Sequence, residues 1–77
     1  MVSRELDAAI GARVRHAREC AGESQVSLGR LLGFAQPSYA YRCEKGLRGF
    51  TVRQLVTIAA RYRVSVDWLL TGKEFEP

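Results

Sequence analysis

The sequence predicts an all-α fold, a compact domain of five short helices. Three observations predict it. Apolar residues recur at three- and four-residue steps along most of the chain, and nowhere do they alternate in strand fashion over a useful length. Serines, a threonine and glycines stand where helices start and stop. The 77 residues, 47% of them hydrophobic, suit one modest core and are too apolar for a disordered chain.

Each element has its own signature. Leu6, Ile10, Val14, Ala17 and Ala21 mark the stripe of a first helix, with Arg13, Arg15, Arg18 and Glu19 on the other positions. Gly22 caps its end, and Ser24 is the N-cap of a second helix from about Gln25 to Leu32, which carries Leu28, Leu31 and Leu32 and stops at Gly33. Pro37 opens a third helix, where its missing N–H has no bond to lose, and Gly46 closes it. "LRGF" is a loop. Thr51 and Gln54 then form a capping box for a fourth helix with the stripe Val52, Leu55, Val56, Ile58, Ala59 and Tyr62. Ser65 caps a fifth helix, "VDWLLT", which ends at Gly72, and Val64 with Leu69 forms a hydrophobic staple across its start. Residues 1–72 make the domain, and residues 73–77 a short C-terminal tail.

Composition narrows the function. The net charge is +4, the isoelectric point is near 9.6, and most of the positive charge is arginine. Arginine suits phosphate and guanine because its flat fork donates two hydrogen bonds at once. A basic balance sets the direction of search and no more. No apolar run approaches the roughly 18 residues of a membrane span, and "MVSRELDAAI" lacks the apolar core of a secretion signal, so a cytoplasmic protein with no membrane partner is expected. Cys20, Cys43 and the lone His16 cannot fill the roughly four positions of a structural zinc site. Two buried free thiols are expected in preference to a disulfide. His16 lies on the arginine-rich flank of the first helix with no carboxylate pair, phosphate loop or nucleophile motif beside it. The reading is therefore not an enzyme, with no metal, no cofactor and no small-molecule ligand.

Function concentrates in the second and third helices, "SQVSLGRLLG" and "QPSYAYRCEKG". A short helix, a turn at glycine and a second helix with a polar outer face form a helix-turn-helix arrangement, in which the second helix enters the DNA major groove. Close approach of the two helices calls for small residues where they cross, and Gly29 and Ala40 are the candidates.

The run from "IGARVRHARECAGESQ" through "SLGRLLG" and "CEKG" to "SVDWLLTG" resembles the lambda-repressor-like, Cro-type helix-turn-helix regulators over about Ile10 to Gly72. The resemblance rests on "SQ" opening the second helix, "LLG" closing it, "E-x-G" after the third and the terminal "DWLLTG". It implies a five-helix fold, usually dimeric, that binds operator DNA. It also implies that Gln25 contacts a phosphate and braces the recognition helix, and that Arg18 of the first helix pairs with Glu44 in a partly buried structural tie.

Between Gly33 and Glu44 the chain has one residue more than the family's usual spacing. Counting from the N-terminal side turns Tyr39 inward, and Arg42 with it, which buries an unpaired guanidinium. Counting back from Glu44 turns Ala40 and Cys43 inward and leaves Ser38 and Arg42 outside. The second register is preferred, with the extra residue in the turn from Ala35 to Pro37.

The recognition helix is then about 37–45, and the expected DNA contacts divide by chemistry. Arg42 is the main major-groove reader, able to grip guanine O6 and N7; its bland alternative is a phosphate contact. Gln36 reaches adenine or the backbone from the helix start, or merely caps it. Ser38 suits phosphate or water-mediated contact. Tyr39 and Tyr41 pack on a thymine methyl or bond a phosphate, and partial burial is the alternative for Tyr39. Lys45 and Arg48 suit phosphates, which set register without carrying sequence. Arg53, Arg61 and Arg63 are read as solvated faces.

The expected function is a sequence-specific regulator of transcription that binds double-stranded DNA, a dimeric repressor of a palindromic operator. Trp68, Leu70 and Phe75 around the fifth helix are either core or part of the homodimer surface. The alternative reading is a protein-binding module, such as an antitoxin, built on the same fold.

Overall fold

The computed structural model describes residues 3–73 and contains five helices: α1 (Ser3–Cys20), α2 (Gln25–Leu32), α3 (Ser38–Glu44), α4 (Val52–Tyr62) and α5 (Val66–Thr71). No strand occurs among the described residues. No helix among them is long and apolar enough to cross a membrane.

The caps are those the sequence predicts. The Ser24 hydroxyl accepts the Ser27 N–H at 3.1 Å, and the Ser65 hydroxyl accepts the Trp68 N–H at 2.9 Å. Thr51 and Gln54 complete a reciprocal box, with bonds of 2.9 and 3.1 Å. These bonds satisfy donors that a helix start otherwise leaves without partners. Pro37 stands at the N-cap of α3 in helical geometry, so this helix begins without a side-chain cap. Arg63 ends α4 in the left-handed region, φ 59°, a conformation that is uncommon for any residue other than glycine.

The core lies between the five helices, with α1 packed against α3, α4 and α5, and α2 against α3 and α4. It contains Ile10, Val14 and Ala17 of α1, Leu28 of α2, Ala40 of α3, Leu55, Ile58, Ala59 and Tyr62 of α4, and Leu69 of α5. Val14, Leu28, Ile58 and Leu69 are fully buried, each contributing about 1.5–3 kcal/mol. Val64 and Trp68 pack against this cluster from its edge. Leu70 is exposed, and Phe75 lies outside the described residues.

Several expectations need correction. Leu6 and Ala21, at the two ends of the α1 stripe, are exposed, as are Val52 and Val56 of α4. Periodicity gives the direction in which a side chain points, and neighbours decide whether anything covers it. Cys43 is buried as expected and Cys20 is not, although both are free thiols. Burial pushes the Cys43 thiol pKa up. Arg61 is more than a solvated residue, since its guanidinium holds Glu23 through bonds of 2.9 and 2.6 Å.

The expected crossing at Gly29 is also corrected. Gly29 is buried, yet a Cβ added there meets nothing within 4 Å. The close approach belongs to Gly11, halfway along α1. A Cβ at Gly11 stands 2.5 Å from the carbonyl oxygens of both Cys43 and Glu44. The backbones of α1 and α3 touch there directly, and only glycine permits it. One turn further on, Gly46 adopts φ +79° with its α-carbon face against the backbone of Ala8. Helix α3 is thus seated on α1 at its C-terminal end.

Candidate functional site

The side chains that hold α3 in place converge on Glu44, its last residue. Arg18 donates to the Glu44 carboxylate twice, through Nε at 2.7 Å and Nη2 at 3.2 Å. Gln25, at the first position of α2, donates to the same carboxylate at 2.9 Å. Arg18 also donates to the Glu23 carbonyl at 2.7 Å, so one guanidinium ties α1 to the turn before α2 and to α3. Both members of the pair are buried, more deeply than the partly buried tie expected. Hydrogen bonding to Glu44 raises the Arg18 pKa further above its ordinary value. A buried pair of this kind tolerates desolvation because the guanidinium donates three hydrogen bonds and the carboxylate accepts three.

Anchored this way, α3 divides into two faces. Ala40 and Cys43 are fully buried. Ser38, Tyr41, Arg42 and Lys45 are exposed, with Gln36 exposed in the preceding turn. This is the register obtained by counting back from Glu44. Tyr39 takes the partly buried position. Its ring meets Phe34 edge-on at 5.8 Å, and the Arg48 guanidinium lies over it at 4.6 Å from the centroid. Arg48 is therefore pinned to α3 by a cation–π contact while remaining exposed. Lys45 approaches the Tyr41 ring at 5.8 Å.

Two depressions flank the exposed ridge of α3. One, of about 690 Å³, is lined by Ser38, Tyr41, Arg42, Leu47 and Arg48. The other, of about 400 Å³, is lined by Arg15, Arg18, Gln25, Tyr41, Glu44 and Lys45. The structure thus brings Gln25, Ser38, Tyr41, Arg42, Lys45 and Arg48 to one surface. Gln36 lines neither depression, and Tyr39 supports the surface from the side. Sequence reasoning missed Leu47, which is 67% exposed, and Arg15, which pairs with Glu19 at 3.0 Å. An apolar loop residue beside two arginines gave no periodic signal by which to find it.

Along the chain between Glu23 and Asp67 the charge is one-sided, although Asp7 of α1 lies against Gly49 and Glu19 pairs with Arg15 beside the second depression. From Ser24 to Val66 the chain carries Arg30, Arg42, Lys45, Arg48, Arg53, Arg61 and Arg63, but a single carboxylate. That carboxylate is Glu44, buried and neutralised within the domain. Among the described residues, Arg42, Lys45 and Arg48 form no salt bridge. No group of three or more His, Cys, Asp or Glu side chains among the described residues is placed to hold a metal ion.

Comparison with protein-family models, with curated proteins and with solved structures finds no match to this chain.

Proposed function

We propose that this is a helix-turn-helix domain that binds double-stranded DNA with sequence preference and acts as a transcription regulator. In this reading α2 and α3 are the paired helices, and α3 enters the major groove. The observation that carries it is the outer face of α3. Ser38, Tyr41, Arg42 and Lys45 form an exposed hydrogen-bonding and cationic ridge, and the nearest carboxylate in sequence is turned inward and paired. Bases turned outward, beside an acid already engaged inside the domain, suit a polyanionic partner.

Roles follow from position. Arg42, exposed and free of carboxylate partners among the described residues, reads guanine through two hydrogen bonds. Lys45 and Arg48 neutralise phosphates. Gln25 spends one amide N–H on Glu44 and keeps a second donor for the DNA backbone. A single domain spans a short half-site, so the active form is a two-fold dimer on a palindromic operator, acting as a repressor.

Selection of bound sequences from random duplex DNA tests the proposal. The expected result is a palindrome whose half-sites lie about 34 Å apart, or one helical turn. Binding that shows no sequence preference at moderate salt, or no binding, refutes it.

A further inference from the structure

The C-terminal end of α1 carries a thiol–imidazole pair that takes no part in the α3 surface. His16 and Cys20 stand at i and i+4 on α1, both exposed, with Cys20 Sγ 3.6 Å from His16 Nε2. That distance has a meaning in coordination chemistry. With Zn–S about 2.3 Å and Zn–N about 2.0–2.1 Å, two ligands of a tetrahedral zinc ion lie about 3.5–3.6 Å apart. The pair already has the required bite.

The surroundings orient the pair, and the two thiolates of a bridged site would offset Arg63, which lines the same groove. Trp68 lies beside the His16 ring, centroids 6.3 Å apart and planes tilted 53°, and limits how far the imidazole swings. Cys20 is the last residue of an 18-residue helix, the end at which the macrodipole places partial negative charge. A groove of about 680 Å³ opens beside both ligands, between α1 and the α4–α5 turn. Thiolate and imidazole together select borderline and soft ions such as Zn²⁺ over Ca²⁺ or Mg²⁺.

One chain supplies two ligands, and among the described residues no third donor joins them. A closed tetrahedral site needs four. A second copy of the chain, related by a two-fold axis, supplies the other His16 and Cys20. We propose that the His16–Cys20 pair binds a zinc-type divalent cation between two copies of this chain, forming an intermolecular two-cysteine, two-histidine bridge. The step involves no oxidation or reduction. Two Zn–S and two Zn–N bonds form as the hydrated ion gives up its water ligands, and each thiol releases its proton to solvent. Two thiolates offset the dication, so joining two chains of net charge +4 adds no further positive charge. Cys43 cannot substitute, because it is fully buried.

The test uses the full chain under a non-thiol reductant, with Co²⁺ as spectroscopic probe and Zn²⁺ as competitor. The expected result is one metal ion per two chains, a thiolate charge-transfer band with tetrahedral cobalt bands, and a mass twice the 8.6 kDa of the chain. EDTA reverses all three. Fluorescence of Trp68, the one tryptophan, falls as Co²⁺ binds. Cys20→Ser and His16→Ala each abolish the bands and the dimer while leaving helicity unchanged, since both side chains are exposed. Four results overturn the proposal: metal retained by Cys20→Ser, one metal ion per monomeric chain, a dimer released by reductant instead of EDTA, or no metal bound at all. The last reduces the pair to a weak S–H···N hydrogen bond.

Discussion

Replacing a helical glycine with alanine has opposite consequences at two positions of this domain. By helix propensity alone, Gly11→Ala and Gly29→Ala each gain about 1 kcal/mol. At Gly29 nothing stands within 4 Å of the new methyl group, so that gain is expected in full. At Gly11 the methyl group stands 2.5 Å from two backbone carbonyl oxygens, and ordinary contact begins near 3.4 Å. Helices α1 and α3 must separate by about 1 Å, and overpacking of this kind costs about 1–3 kcal/mol or more. The displaced backbone is that of Glu44, so the Arg18 and Gln25 bonds stretch with it. With the propensity gain of about 1 kcal/mol subtracted and about 1 kcal/mol added for the strained hydrogen bonds, the net expectation is a loss of about 1–3 kcal/mol for Gly11→Ala. For a domain of this size that lowers the melting temperature by roughly 4–8 °C per kcal/mol, while Gly29→Ala raises it by a similar step. Urea and thermal unfolding followed by circular dichroism read both. A Gly11→Ala variant as stable as the parent chain, or more so, would show that the α1–α3 backbone contact does not exist.

Four further expectations concern single side chains. Glu44→Gln keeps the shape but leaves the buried Arg18 guanidinium without a counter-charge; a loss of about 3–5 kcal/mol is expected in urea unfolding, and a loss under 1 kcal/mol contradicts the buried pair. The Tyr62 hydroxyl is buried with no hydrogen-bond partner, so Tyr62→Phe is expected to stabilise by about 1 kcal/mol, and destabilisation would reveal a partner. Hydrogen bonds from Arg61 first and Ser27 second hold the Glu23 pKa below its ordinary value, so this contribution to stability is present above the unfolded-state pKa and is lost as pH falls through the lowered one. Carboxyl titration by NMR should move Glu23 upward in Arg61→Ala, and an unmoved titration rejects the pairing. Arg42→Ala is expected to weaken binding to the selected DNA by about 1–3 kcal/mol and to relax preference at one base pair, whereas an equal loss on every sequence reassigns Arg42 to phosphate.

The parts of the fold legible in the sequence are those decided locally. Ser24, Thr51 and Ser65 cap their helices through bonds spanning three residues, so short-range pattern was enough to place them. The inward turn of Ala40 and Cys43 followed from the cost of burying Arg42. What stayed hidden depends on partners distant in the chain. Leu6 and Val52 lie at the ends of apolar stripes whose middles are buried, and no periodicity reports where coverage stops. Gly11 and Gly29 are both mid-helix glycines, and only the position of α3 tells them apart. Arg48 and Tyr39 lie nine residues apart and meet because the loop after Gly46 folds back along α3. The candidate site was legible in its residue types, and its support was not.

The contact at Gly11 also has a mechanical side. Most helix pairs meet through side chains, whose rotamers yield when one helix is pushed against the other. Here main chain bears on main chain, and the seam has no such compliance. Helix α1, 18 residues and about 27 Å long, acts as a strut bolted near its midpoint to the end of α3. A push on the outer face of α3 is not absorbed at that joint. It is met by the main chain of α1 at Gly11.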